Sequence, residues 1–438
     1  MRHRLILIGL LLLATVGGLA TLSGTKGQNP PGPITPLVPS AAPPPANPVT
    51  PAVFVAPAPS QPLHDLNQMP PFTRHVYTSA HRGAEWLHGV NNPVTGRFIY
   101  GWVTALNVAL DGDHYLHQAG AVAALARSAR YFGEERYTLK ARQAVLSLMA
   151  DTTLDPRDPT CRHTAMPALA VNRLAAAGLL VMAIHELPAP ADDLLKQGEE
   201  LANFIRKQQR DDGSFRLLDG TDETPRETES VQTYPGVALY GLMLSQRHRP
   251  AAWKTDVARR ALPYYFSQWK ANPNLTCVPM LTAAFAEMYL LTKDQAFASG
   301  VFEISDWVCG LQYTKEDARN PAWIGGFKGY NDAKQPVPTA PTVQTAAYLE
   351  GLAQACRVTR QVPDAARYER YKVVAANACQ FLTGLQFGED TTRHFAPNHR
   401  ALLFGGFHVS HQDGNLRIDA QQHAVAGMIQ YLTFAADR

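Results

Sequence analysis

The sequence predicts an all-α domain of paired helices closed into a two-layered ring, carried behind an apolar N-terminal segment and a proline-rich linker. Three observations predict it. First, from Thr73 onward apolar residues recur at helical spacing, giving twelve helices near 74–90, 114–130, 134–149, 167–187, 190–208, 232–246, 250–268, 276–292, 294–312, 341–359, 363–386 and 418–435. Second, the helices alternate in kind. One set is apolar on most faces and rich in small residues, as in Ala119-Gly120-Ala121-Val122, Leu174-Ala175-Ala176 and Thr345-Ala346-Ala347, which is the composition of buried helices. The other set carries charge on one face, as with Arg136, Lys140 and Arg142, or Lys196, Glu199 and Glu200, and belongs at the solvent side.

The third observation is a repeat. Four outer helices end on an aromatic followed five residues later by an amide: Trp86/Asn91, Phe204/Gln209, Trp307/Gln312 and Phe381/Gln386. A glycine turn and a phenylalanine follow each: Gly96-Arg97-Phe98, Gly213-Ser214-Phe215, Gly325-Gly326-Phe327 and Gly405-Gly406-Phe407. Glycine admits the positive φ of a tight turn, and the aromatic can pack back onto the helix end. Self-similarity of this kind marks a repeat architecture. The first helix has no inner partner before it, so it is expected to pair with the last and close the ring.

Ahead of the domain (73–438), residues 1–27 read as a signal peptide or signal anchor. Arg2 and Arg4 precede an apolar run from Leu5 to about Leu22, close to the ~20 residues that span a bilayer. A basic start stays inside, so the rest is expected to be exported, periplasmic or at the cell surface, tethered to the inner membrane by residues 5–24. Residues 28–72 form a linker with nearly half of the chain's 33 prolines, which excludes regular helix or sheet there.

Composition excludes some functions. Lys+Arg 40 against Asp+Glu 37 offers no basic surface for nucleic acid. The five cysteines form no C-x-x-C pair and no H-E-x-x-H occurs, so neither a metal nor another cofactor is expected. Cys161, Cys277, Cys309, Cys356 and Cys379 are expected to be mostly free, buried thiols.

With its six expected hairpins, and with Gln208-Gln209-Arg210-Asp211-Asp212-Gly213-Ser214-Phe215 as a Gln/Asp-Gly/aromatic turn, the stretch 73–438 resembles the (α/α)6 toroid superfamily, which includes six-hairpin glycosidases and terpenoid-cyclase-like proteins. The resemblance implies the ring fold and an active site at one mouth. Connection lengths point to the same mouth. Joins into the inner helices are mostly long (91–113, 150–166, 209–231, 313–340, 387–417), joins out of them short, and long loops in compact domains are commonly functional.

Candidate residues sit at the N-terminal ends of inner helices. Asp419 and His423 are four apart, so one helix face presents both, with Arg417 just ahead. A carboxylate beside an imidazole fixes its tautomer and raises its basicity. The plainer reading has Asp419 capping the helix and pairing with Arg417. Glu350, inside an apolar helix, must be paired or protonated: it either reaches the central cavity or pairs with an arginine such as Arg357. These three, Asp419, His423 and Glu350, are the catalytic candidates. Arg417, Gln422, Tyr234, Trp102, His117, His163, Gln344 and Trp323 are the substrate-binding candidates, the aromatics as stacking platforms for sugar rings. Each has an ordinary packing or helix-end role as its alternative.

No Asp-x-Asp-Asp run occurs, which makes a terpene-cyclase-like reaction the less favoured branch. The expectation is a carbohydrate-active protein on an extracytoplasmic polysaccharide. A glycoside hydrolase would use Asp419 and Glu350 as its carboxylates. A uronate lyase or epimerase would use His423 or His117 with Tyr234. The alternative is a non-catalytic toroid binding glycan or protein at the cell surface, consistent with the scarcity of carboxylates near the mouth.

Overall fold

The computed structural model describes residues 64–168, 170–217, 228–317 and 319–437. The apolar segment at 1–27 and most of the linker at 28–72 therefore lie outside the described residues. No described helix is long and apolar enough to cross a membrane. His64, at the start of the described chain, stacks on Tyr131 at 4.6 Å between centroids.

All twelve expected helices are present, with two short ones between the last pair. They are α1 Pro71–Val90, α2 Tyr115–Phe132, α3 Glu135–Ala150, α4 Arg173–Glu186, α5 Asp192–Gln208, α6 Thr228–His248, α7 Ala252–Ala271, α8 Val278–Thr292, α9 Gln295–Cys309, α10 Thr345–Thr359, α11 Ala365–Gly384, the short α12 Glu389–Thr392 and α13 Pro397–Leu403, and α14 Ile418–Phe434. The inner staves are α2, α4, α6, α8, α10 and α14. Each packs against the next, and α14 packs against α2, so the ring closes. The outer helices α3, α5, α7, α9 and α11 each pack on the stave before them, and α1 packs on α14. First and last helices thus form the sixth hairpin, as the sequence requires.

Close packing of the staves needs small residues. A Cβ on Gly178 of α4 would lie 2.8 Å from the backbone of Ala238 in α6. Outer helices bury one stripe. Along α5, Leu194, Gly198, Leu201, Ala202, Ile205 and Gln208 are buried at helical spacing, with Asp192 and Asp193 in the first turn and Arg206 and Lys207 in the last, complementing the helix dipole.

The repeat has a structural meaning. Asn91, Gln209, Gln312 and Gln386 each form a lone antiparallel bridge with the phenylalanine of their own turn, Phe98, Phe215, Phe327 and Phe407. The intervening glycines Gly96, Gly213, Gly325 and Gly405 all have positive φ, from 70° to 91°. Three amides also reach the next outer helix. Gln209 Nε2 donates to Val257 O at 2.9 Å, Gln312 Nε2 to Val374 O at 2.8 Å and Gln386 Nε2 to Ser79 O at 2.9 Å.

Three expectations are corrected in the long joins. Helix α4 starts at Arg173 rather than 167, where Asn172 caps it by accepting from Ala175 N at 2.9 Å, and turns lead to it from the hairpin of β3 and β4. Helix α6 starts at Thr228, ahead of 232. Helix α10 starts at Thr345, after a turn that follows Pro341. Short strands also occur, which an all-α reading omits: β1 Gly101–Val103, β2 Val108–Ala109, β3 Thr152–Asp155, β4 Asp158–Thr164, β5 Gly329–Tyr330, β6 Pro336–Val337 and β7 Leu416–Arg417. They form three small antiparallel sheets, of order β2-β1-β7, β3-β4 and β5-β6. The five cysteines are free, four of them buried and Cys309 half-buried.

Candidate active site

The sheet β2-β1-β7 builds the mouth. Register pairs Gly101 with Arg417 and Trp102 with Leu416, so the loop after α1 lies against the strand that leads into α14. This carries Tyr100 to the N-terminal turns of α14 and α2. Its hydroxyl lies 3.2 Å from His117 Nδ1 and accepts from Arg417 Nη2 at 3.4 Å. The Tyr100 and His117 rings are parallel within 4°. The hydroxyl that accepts from the guanidinium keeps its own hydrogen to donate to the Nδ1 lone pair of His117, an arrangement that leaves a proton on Nε2.

Arg417 and Asp419 form a two-pronged pair, Nε to Oδ1 at 2.9 Å and Nη2 to Oδ2 at 2.8 Å. The pairing half of the plainer reading holds. The capping half does not: Arg417 is itself the N-cap residue of α14, and no side chain caps that end. Burial works to raise the Asp419 pKa, but His117, Arg417 and its hydrogen bonds hold it below the usual carboxylate range. Asp419 is therefore an anion that fixes Arg417, and it makes no hydrogen bond to His423.

The carboxylate that partners His423 is Glu350, across the interface of α10 and α14. Glu350 Oε1 lies 2.6 Å from His423 Nδ1. Its other oxygen accepts from Gln430 Nε2 at 2.9 Å and stands 3.7 Å from Arg127 Nη1. The expected arginine, Arg357, instead pairs with Glu287 at 2.5 Å. Glu350 is 5 % exposed at its side chain, whereas His423 keeps 23 %, so the imidazole presents its free Nε2 while the carboxylate is enclosed. Burial acts to lower the His423 pKa, but the hydrogen bond and charge of Glu350, with Asp419 adding, leave it raised. His117 goes the other way. Burial dominates and pushes it down to about 4, against the pull of Asp419. Two imidazoles on neighbouring staves thus have pKa values driven apart, the pattern that separates proton-transfer roles.

The other candidates divide. Gln422 packs on α2, where its amide occupies the space a Cβ on Gly120 would need. Trp102 is half-buried, with its Nε1 enclosed and without a hydrogen-bond partner. Gln344 is exposed at the N-cap of α10, and Tyr234 is half-buried just before Pro235 in α6. Trp323 packs on Tyr313 at 5.4 Å in the loop before α10. His163 is drawn away from the histidine cluster: it lies in β4, 6 % exposed, bonded through Nδ1 to Thr164 O and packed on Phe204 of outer helix α5. Tyr100, Gln430 and Arg127 went unread as site residues. Tyr100 enters through strand pairing, and the other two are polar residues of inner staves, the same signal that singled out Glu350.

Among the described residues one group has the reach of a metal site, His81, Glu85 and Glu134 between α1 and α3. Arg136 already pairs with both carboxylates there.

The ring is an (α/α)6 toroid. No protein-family model matches the sequence, and no curated protein matches it. Solved structures share its fold. A D-mannose isomerase is 9 % identical over 84 % of this chain and 99 % of its own, with a TM-score of 0.61. A cellobiose 2-epimerase of Bacillus thermoamylovorans is 10 % identical over 83 % and 99 %, with a TM-score of 0.60. An α-1,6-mannanase of Salegentibacter, in complex with α-1,6-mannotriose and made inactive by replacing two adjacent aspartates, is 10 % identical over 82 % and 99 %, with a TM-score of 0.55.

Proposed function

We propose that this protein is a carbohydrate-active enzyme that moves a proton at a sugar carbon, in the manner of an isomerase, epimerase or uronate lyase. The observation that carries this reading is the Glu350–His423 pair at 2.6 Å. Glu350 fixes the Nδ1–H tautomer and raises the basicity of Nε2, which is the arrangement of a general base. His117, neutral above about pH 4, offers its Nε2–H to a substrate oxygen without competing for the proton. Arg417, oriented by Asp419, supplies positive charge beside it. Fold likeness to an isomerase, an epimerase and a mannanase supports a sugar substrate but does not select one reaction.

Hydrolysis is less well served. It requires two carboxylates on opposite sides of the bond, one of them a proton donor. Asp419 is held ionised against Arg417 and Glu350 is enclosed. The adjacent aspartate pairs of this chain, Asp192-Asp193 and Asp211-Asp212, lie in the first turn of outer helix α5 and in the turn after it.

The test is solvent exchange. The purified chain is incubated in D2O with mannose, cellobiose and uronate oligosaccharides. Proton NMR follows loss of ring hydrogens, and absorbance follows unsaturated products. Exchange on one of them is expected, falling at least ~10²-fold in His423→Ala. Its rate should rise with pH through an apparent pKa above 6.5, because the base works unprotonated, and this limb should move to lower pH in Glu350→Gln. Reducing ends lost in Asp419→Asn with no exchange would instead establish a hydrolase. Sugar binding with neither reaction would leave a glycan-binding toroid.

A further inference from the structure

Behind the mouth, where the inner staves end, lies a cavity of about 620 Å³ that is open to solvent. Arginines reach it from three staves: Arg127 and Arg130 near the end of α2, Arg247 at the end of α6 and Arg357 near the end of α10. Two carboxylates on the staves between them take part of their bonding. Glu186, the last residue of α4, accepts from Arg127 Nε at 3.2 Å and Nη2 at 2.9 Å, and pairs with Arg130 through its other oxygen. Glu287 on α8 accepts from Arg247 Nε at 2.6 Å and from Arg357 Nη1 at 2.5 Å.

These pairs leave donors unspent. The carboxylates are 7 % and 5 % exposed, while Arg130, Arg247 and Arg357 keep 45 %, 39 % and 21 %. Nη1 of Arg130 and Arg247, and Nε and Nη2 of Arg357, donate no hydrogen bond to a described residue, while Nη1 of Arg127 faces Glu350 at 3.7 Å. Of the acids at the rim, Asp437 is paired with Lys372 Nζ at 2.6 Å, and Asp65 accepts from the neutral donors Asn67 N and Gln68 Nε2.

Arginines at helix C-termini often serve only to bond the last carbonyls and offset the dipole. Arg130 does so, donating to His185 O at 2.9 Å and Glu186 O at 3.3 Å. Arg247 and Arg357 bond no helix-end carbonyl. Beside them the wall is apolar, formed by Ile429, Leu432 and Phe434. A cavity of this volume with a few convergent polar groups on an apolar wall has the form of a small-molecule site. Guanidinium groups with free N–H edges select planar or tetrahedral oxyanions.

We propose that the rear cavity binds a small metabolite bearing an oxyanion, its carboxylate or phosphate group seated between Arg247 and Arg357 and its remainder against Ile429, Leu432 and Phe434. This site lies at the opposite end of the staves from the mouth, with Arg127 and Gln430 in the wall between them, and does not depend on the reaction assigned there.

The purified chain is titrated with inorganic phosphate and, separately, with succinate at constant ionic strength, read by calorimetry and by Tm. At least one anion is expected to bind saturably and raise Tm by a few degrees; which one does so distinguishes a phosphorylated from a carboxylated ligand. Arg357→Gln leaves Glu287 paired with Arg247 and should weaken binding at least tenfold. Arg247→Gln leaves Glu287 paired with Arg357 and serves as a second variant if the first melts early. Arg417→Gln, at the mouth, should leave the anion affinity unchanged. No saturable binding by either anion, binding undiminished in both rear variants, or binding lost in Arg417→Gln overturns the proposal.

Discussion

Two histidines of the inner staves show how a single neighbour decides the chemistry of a residue. His423 has a carboxylate on Nδ1 and gains basicity despite its burial. His185 on α4 has none. It is 2 % exposed, neither ring nitrogen has a hydrogen-bond partner, and it stacks on His248 at 4.9 Å. Burial, with His248, Lys254 and Arg249 adding, pushes its pKa down to about 3. The folded chain therefore refuses a proton that the unfolded chain accepts below about pH 6.5. The stability His185 permits is complete above that value and falls with pH down toward 3, at about 1.4 kcal/mol per pH unit. In His185→Leu this loss should vanish. Chemical unfolding of both proteins between pH 7 and pH 4.5 checks it, and parallel curves would sink the argument. The mouth was only partly legible at this scale. The i, i+4 spacing of Asp419 and His423, and a lone carboxylate inside an apolar stave, singled out residues that the structure brings close together. The Arg417–Asp419 pair was legible, but the partners of Glu350 and His423 were not, because helical periodicity gives the face a residue occupies but not its height against the next stave. Hence Glu350 meets His423 and Arg127 rather than Arg357, and Asp419 meets only Arg417.

At the scale of the element, the recurring unit is a latch rather than a helix. The amide at the end of an outer helix bonds the carbonyl of the turn glycine and, in three cases, a carbonyl of the next outer helix. Gln312 Nε2 spans Gly325 O at 3.0 Å and Val374 O at 2.8 Å, and Gln386 Nε2 spans Gly405 O and Ser79 O at 2.9 Å each. The inner layer completes two latches through a glutamine of its own. Gln118 exchanges both amide bonds with the backbone of Phe98, and Gln421 does the same with Phe407. The latch made the fold readable, since its residues recur at fixed order. The strands of the long joins were not readable, because each is only two to seven residues long, too short for an alternating pattern to show, and β1 also pairs with β7 at the far end of the chain. Gly405, at φ 88°, packs where a Cβ would collide with the carbonyl of Arg82. Gly405→Ala should cost about 2 kcal/mol or more, from the positive φ and the collision together. Gln312→Ala, which strips buried carbonyls of a shared donor, should cost about 1–3 kcal/mol. Urea unfolding measures both, and a loss under ~0.5 kcal/mol in either would mean the latch marks the fold without holding it.

At the scale of the molecule, the closure of the ring depends on a hairpin whose two helices stand at opposite ends of the described chain. Helix α1 packs on α14, and Thr73 Oγ1 donates to Asp437 O at 3.3 Å, so the two ends of the ring are adjacent. Five hairpins have a covalent turn and the sixth has none. A ring held by packing alone at one joint should tolerate moving that joint, since every stave keeps both neighbours wherever the chain is cut. The favoured cut is between α4 and α5, a short join at the rear where Ala189 is held at φ 47°, a conformation that non-glycine residues rarely adopt. Opening the chain there relieves that residue, and a short glycine-serine linker can join Asp437 to Pro71 across the gap that Thr73 already bridges. This permutant should fold cooperatively, keep any activity measured for the parent and melt within a few degrees of it. Starting the chain after Val90 should instead prevent folding, because it strips α14 of its outer layer and exposes the buried stripe of Ile418, Val425, Met428 and Ile429. Thermal melts and size-exclusion chromatography of both chains decide it. If the permutant collapses while the shortened chain still folds, α1 is an appendage and the ring closes through its inner layer alone.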